Sequence, residues 1–245
     1  MPVERSFKTA KRQARPEYLL LLCCLFVLSL AAAGYCEPLA AQYEPLFVKY
    51  FSDKILAKSV LPVIMATDDE LRRGKIPTLN LCLEDAEIEG VRFDRLLLVM
   101  RDVLFTAPAR GVVIHSHGES SLSGGVSKET FLANLSAGMP HFAVSELELK
   151  DGRVMIKGVY DRRLTFRVRA LMRFTGAYVI DGEGAAKIKF VDATNDNPAI
   201  STLDVGRAIS AAATPLSFVN FFGATRVKEV LVDHDMVWFS AESDR

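Results

Sequence analysis

The stretch Leu164-Thr165-Phe166-Arg167-Val168-Arg169-Ala170 alternates apolar and polar side chains at every step. A strand with that pattern puts Leu164, Phe166, Val168 and Ala170 on one sheet face, and Thr165, Arg167 and Arg169 on the other. The same alternation returns in Ala177–Ile180 and Ala186–Phe190, joined by Asp181-Gly182-Glu183-Gly184. It also returns in Leu147/Leu149 and Val154/Ile156 around Asp151-Gly152, which reads as a hairpin. Val227–Val232 and Met236–Phe239 form a last strand pair around His234-Asp235. A sheet with one apolar face must cover it, either with helices of the same chain or with a bound lipid.

Upstream, Leu79, Leu81 and Leu83 alternate with Asn80, Cys82 and Glu84, and the apolar phase then shifts to Ala86 and Ile88. A one-residue slip inside a continuous strand predicts a bulge or bend. Val91–Phe105 carries the dense run LLLVM, which reads as buried on both faces or lying near a groove, and Val112–Ser116 is a further strand. Gly124 and Gly125 read as a break in the sheet pattern. Ser127 is a helix N-cap, with Glu129 near the positive end of the dipole. Phe131, Leu132 and Leu135 make the apolar face of that helix, and Gly138 and Pro140 stop it. An earlier helix is expected over Pro38–Leu61, where Tyr43, Leu46, Phe47, Tyr50, Phe51 and Ile55 form one stripe. That stripe either packs on its own sheet or touches membrane or acyl chains. Thr67–Lys75 reads as a loop, Thr194–Pro198 as a polar turn, and Ile209–Phe222 as a short helix entering the final hairpin.

The chain has 245 residues, enough for one domain with a large core. Its N-terminus has Arg5, Lys8, Lys11, Arg12 and Arg15, then the apolar run Tyr18–Ala33, then small residues. That order reads as a secretory signal over residues 1–36, cleaved near 33–36, followed by a single domain over 37–245. An uncleaved membrane anchor is the alternative, although 16 residues is short for a span, which needs roughly 20. Tyr35 before Cys36 argues against a lipidated cysteine. Export places the protein in a periplasm or outside the cell. Removing residues 1–33 takes five basic and two acidic side chains and leaves 25 Lys+Arg against 28 Asp+Glu, a net of −3. That balance argues against nucleic acid as a partner. Cys82 and Cys36 supply no disulfide framework.

Catalytic constellations are missing. The chain has no G-x-S-x-G elbow and no phosphate-loop Gly-Lys-Ser/Thr after the glycines at 124–125. His115 and His117 share a strand face, but a metal site needs a third ligand and supporting groups. The expectation is a non-enzyme with no cofactor and no metal. Charge is uneven, because residues 150–189 hold ten basic and four acidic side chains. Either these are solvated strand residues, or they form a basic rim beside an apolar groove that holds an anionic lipid. On the second reading Phe131, Leu132, Leu135, Phe166 and Val168 line the groove, and Arg167 and Arg169 hold the headgroup.

Within Val91–Leu135 the chain reads RFDRLLLVMRDVLF and then GVVIHSHGESSLSGGVSKETFLANL. Near its end, Pro215–Phe218 leads to Gly223 and then to TRVKEVLVDHDMVWF. These stretches resemble the LmeA-like family of bacterial envelope proteins, over roughly Phe51–Phe239. Phe221-Phe222-Gly223 departs from the family's usual proline before the final strand. The resemblance implies a tubular lipid-binding-like protein of α+β class: a strongly curved antiparallel sheet wrapped with two or three helices. It also implies binding of a phospholipid or similar amphiphile, with possible carriage across the envelope and contact with a membrane surface. A structural or protein-interaction module of the envelope, its groove filled by its own helices, is the rival reading.

Overall fold

A computed structural model describes residues 38–88, 90–108, 111–163, 167–213, 222 and 225–243. The chain is α+β and mostly antiparallel. It runs α1 (Pro38–Ser52), β1 (Ser59–Met65), α2 (Asp68–Arg72), β2 (Lys75–Ile88), β3 (Val91–Thr106), β4 (Val113–Ser116) and β5 (Ser120–Ser127). It continues with α3 (Lys128–Gly138), β6 (Phe142–Lys150), β7 (Arg153–Arg163), β8 (Arg167–Ile180) and β9 (Ala186–Asn195). The last elements are α4 (Thr202–Ala212), β10 (Thr225–Asp233) and β11 (Met236–Ser243). The first sheet has the order β1-β2-β3-β5-β11-β10, with β4 beside β3, and the second has the order β6-β7-β8-β9. Both sheets are open among the described residues, without the strong curl expected from the sequence.

The hairpins follow from their turn residues. Asp151 (φ 51°) and Gly152 (φ 75°) join β6 to β7, and His234 (φ 51°) and Asp235 (φ 59°) join β10 to β11, both in the left-handed region that two-residue hairpins require. The sheets meet through the β6–β7 turn and the β8–β9 loop. Gly152 N–H donates to the Val232 carbonyl at 2.8 Å, and Val227 N–H donates to the Gly184 carbonyl at 2.8 Å. Strand β10, at one end of the first sheet, is therefore stitched to loops of the second.

The phase slip in β2 is real, but it is not a one-sided bulge. Leu79, Leu81 and Leu83 are buried, and Ala86 and Ile88 take over beyond Asp85, whose φ is 47°. The partner strand slips with it, since Phe93 and Leu96 are both buried, and pairing continues unshifted from Glu84↔Arg95 to Ala86↔Phe93. Both strands turn their faces together, so the ladder bends without losing register.

Four expectations are corrected. First, Gly124 and Gly125 do not break the sheet; they lie inside β5, between β3 and β11. A Cβ at Gly124 would sit 2.5 Å from Leu96 Cδ2, and one at Gly125 would sit 2.7 Å from the Trp238 ring. The glycines are there because neighbouring side chains fill the space. Second, the first helix ends at Ser52, and Ser59–Met65 is an edge strand. Third, Thr67–Lys75 contains α2, opened by a capping box in which Thr67 Oγ1 accepts from Glu70 N–H and Glu70 reaches back to Thr67 N–H at 2.8 Å. Fourth, Ala177–Ile180 does not form a separate strand but continues β8, which runs unbroken from Arg167.

Helix α3 starts where expected. Ser127 Oγ accepts from Thr130 N–H at 3.2 Å. Asp94 of β3 adds a second cap, accepting from Ser127 N–H, from Ser127 Oγ at 3.0 Å and from Thr130 Oγ1 at 2.8 Å. The aromatic stripe of α1 packs inward: Phe47 and Phe51 are fully buried, and Tyr43 and Phe47 stack edge-on against Phe105 at 5.3 and 5.4 Å. The first helix thus covers its own sheet. No helix among the described residues is long and apolar enough to cross a membrane. The signal segment 1–36 lies outside them.

Candidate functional site

The side chains expected to line a lipid groove fall in three different places. Phe131 and Leu135 of α3 are 0 % exposed, so no solvent-sized space reaches them. They are core residues, and the expectation that they line an open groove is corrected. Leu132 is half-buried and packs against that core. Val168 is half-buried on β8, and Phe166 lies outside the described residues.

Arg167 and Arg169 are exposed on the outward face of β8. Arg167 Nε donates to Asp161 at 2.9 and 3.2 Å, and its Nη2 also donates to that carboxylate. That bond, and then the carboxylate's charge, push the guanidinium's pKa above its ordinary value. Arg167 is therefore engaged within the β7–β8 pair, and Arg169 sits opposite Asp161 in the ladder. These two arginines do not rim a hollow made by the α3 residues.

The sequence reading missed a groove between α4 and β9. Helix α4 is held against β9 by Ser210 Oγ, which donates to the Ile188 carbonyl at 2.7 Å. Near its middle, Gly206 lets the helix approach two rings: a Cβ there would meet Phe174 at 3.4 Å and Phe190 at 3.5 Å. Along the helix, a hollow of about 710 Å³ runs beside β9, with the half-buried Phe190 at its floor and the buried Phe174 and Ile188 beneath. Its walls carry Val191, 78 % exposed, and Leu203, 61 % exposed. Together these two side chains give the hollow an apolar rim. Lys187, Lys189 and Arg207 stand around it, with Asp192 as the one acid. Lys187 is tied to Asp181 at 3.1 Å, and Arg207 lies 3.9 Å from Asp204.

The alternation Lys187-Ile188-Lys189-Phe190-Val191 was the available signal. It was readable as a strand, but the packing of α4 against it was not.

A second hollow, about 510 Å³, lies on the outer face of the second sheet. Its groups engage one another: Lys157 pairs with Glu146 at 3.8 Å, and Arg173 Nη2 lies 3.1 Å from Met155 Sδ. It is a poorer match to an amphiphile.

The H-x-H histidines are held locally. His115 Nε2 lies 2.9 Å from Thr106 Oγ1, and His117 Nδ1 lies 2.9 Å from the Gly118 carbonyl oxygen. No group of three or more metal-ligating side chains is brought together among the described residues. Comparison of the chain with protein-family models, with curated proteins and with solved structures finds no match.

Proposed function

We propose that this is an exported lipid-binding protein that holds an amphiphile along the α4–β9 groove. The acyl chain lies over Phe190, between Val191 and Leu203, and the polar head faces Lys189 and Arg207. The observation that carries the reading is that hollow, apolar in its floor and walls and basic at its edge. A phospholipid or a similar anionic amphiphile fits both properties.

The magnitudes favour reversible holding. Burial of a methylene is worth about 0.8 kcal/mol, so about ten methylenes half covered give about 4 kcal/mol, a Kd on the order of 1 mM. Each charge-assisted bond at the head adds roughly 1.5–3 kcal/mol, less where exposed. Affinities of this size suit pick-up and release. On this reading, the tubular lipid-binding-like arrangement expected from the sequence is replaced by a surface groove beside an open sheet.

Native mass spectrometry of the exported chain, purified without detergent, tests the proposal. The expected result is adducts of phospholipid mass that organic extraction confirms. In Leu203→Glu and Val191→Glu these adducts fall at least about tenfold while the melting temperature holds. A clean apo mass after incubation with mixed vesicles overturns the proposal. The rival reading, an envelope interaction module without ligand, is favoured by one observation: Phe47, Phe51, Phe131 and Leu135 close the interior with the chain's own helices.

A further inference from the structure

We infer that the outer face of the first sheet is a dimer interface, on which a second copy of this chain packs face to face about a two-fold axis through Asn80. The outward face of an open antiparallel sheet is normally polar. Here Leu61 and Val63 of β1, Cys82 of β2, and Leu97 and Val99 of β3 surround Asn80 on that face. The next strand adds Ser121 and Ser123, and the patch ends where Val99 and Ser121 meet a charged rim of Arg101, Glu119, Lys228 and Glu242. Leu61 is 57 % and Met65 41 % exposed, while the opposite side of these strands is core. The run Leu96–Met100 is therefore apolar on both faces, and no helix among the described residues covers the second.

Asn80 identifies the occupant. It is 7 % exposed, and among the described residues its Oδ1 has no hydrogen-bond partner and its Nδ2 has only the Met65 sulfur at 3.8 Å. A thioether is a weak acceptor, and a buried amide oxygen left unpaired is costly. An acyl chain has no donor to offer it. A second Asn80 has both missing partners, because an amide is its own complement when two copies meet across a two-fold axis. Met65, unbranched and partly exposed, is the group that swings aside. A single buried Asn of this kind is the device that fixes register in other two-fold interfaces.

The area suffices. Strands β1, β2, β3, β5 and β11, about 4.8 Å apart, with about seven residues of about 3.3 Å each, present roughly 550 Å² per copy. The pair buries about 1,100 Å², just above what a specific interface needs. Pro62 on edge strand β1 blunts edge-to-edge pairing, which leaves the face as the surface that associates.

Sedimentation equilibrium of the exported chain from about 0.1 to about 100 µM tests the inference. A monomer–dimer equilibrium is expected, and Asn80→Asp and Leu97→Lys each raise its Kd by at least about tenfold. Circular dichroism monitors folding, and Leu61→Lys, at an edge position already more than half exposed, replaces Leu97→Lys if that variant unfolds. Leu203→Glu, on the other sheet's groove, leaves the dimer unchanged, which separates this inference from the lipid reading. Two outcomes overturn it: a monomer at every concentration, whether or not its vesicle binding falls in Leu97→Lys, or a dimer indifferent to all of these variants.

Discussion

Replacing Gly124 by alanine probes the place where β3, β5 and β11 come closest. The added methyl would lie 2.6 Å from the Arg95 carbonyl oxygen, 2.5 Å from Leu96 Cδ2 and 2.9 Å from Phe239 Cζ. Carbon atoms pack best at about 3.5–4.0 Å, so both carbon contacts are short by roughly half to one ångström or more. The Leu96 methyl can rotate away. The Arg95 oxygen cannot, because it belongs to a strand paired on both sides. Overpacking of this kind costs about 1–3 kcal/mol, and a smaller opposing gain of about 0.4–1 kcal/mol comes from stiffening the unfolded chain. The net expectation is a loss of about 1–2 kcal/mol, or roughly 2–8 °C in melting temperature for a domain of this size. Gly182→Ala is the control, since nothing lies within 4 Å of its Cβ position, and it should be neutral or slightly stabilising. Urea unfolding followed by the fluorescence of Trp238, the one tryptophan in the chain, reads both. A Gly124→Ala loss below about 0.5 kcal/mol, or equal effects at the two glycines, would refute the steric account.

Tyr178→Phe should raise stability by up to about 1 kcal/mol in the same assay, because the phenol oxygen is buried without a hydrogen-bond partner and burial drives its pKa up; a loss of similar size would expose an unrecognised partner. Asp94→Ala should cost about 2–3 kcal/mol, since it strips three acceptor contacts from the start of α3, and amide exchange at Ser127 and Thr130 should rise ahead of the rest of the chain. The Ala185 N–H, and then Lys187, hold the Asp181 carboxyl below its usual pKa. A depressed folded pKa contributes stability above the ordinary carboxylate range, and that contribution disappears as pH falls through the folded value. The protection of the Ala185 amide, relative to its intrinsic exchange rate, should therefore be lost as pH falls below the usual carboxylate range, and Asp181→Asn should abolish that acid step.

Strands, hairpins and helix caps were legible because their causes are local. Asp151-Gly152 and His234-Asp235 make left-handed turns, Ser127 caps a helix, and the leucines of β2 slip phase at Asp85, all within a few residues of the signal that announces them. The Thr67/Glu70 capping box is just as local. Other features were not local. Gly124 and Gly125 look like punctuation until Leu96, Phe239 and Trp238 arrive from strands remote in the chain. Phe131 and Leu135 look like any apolar helix stripe, and only the packing decides that they are core. The groove lies where Gly206 brings α4 close to Phe174 and Phe190 with Leu203 and Val191 exposed beside it, and the outer face of the first sheet carries none of the described helices, which cover other surfaces. Alternation and turn chemistry determine which elements form, since they act between neighbours on the backbone. What covers each face depends on contacts between residues far apart in the chain, and only the tertiary structure decides it.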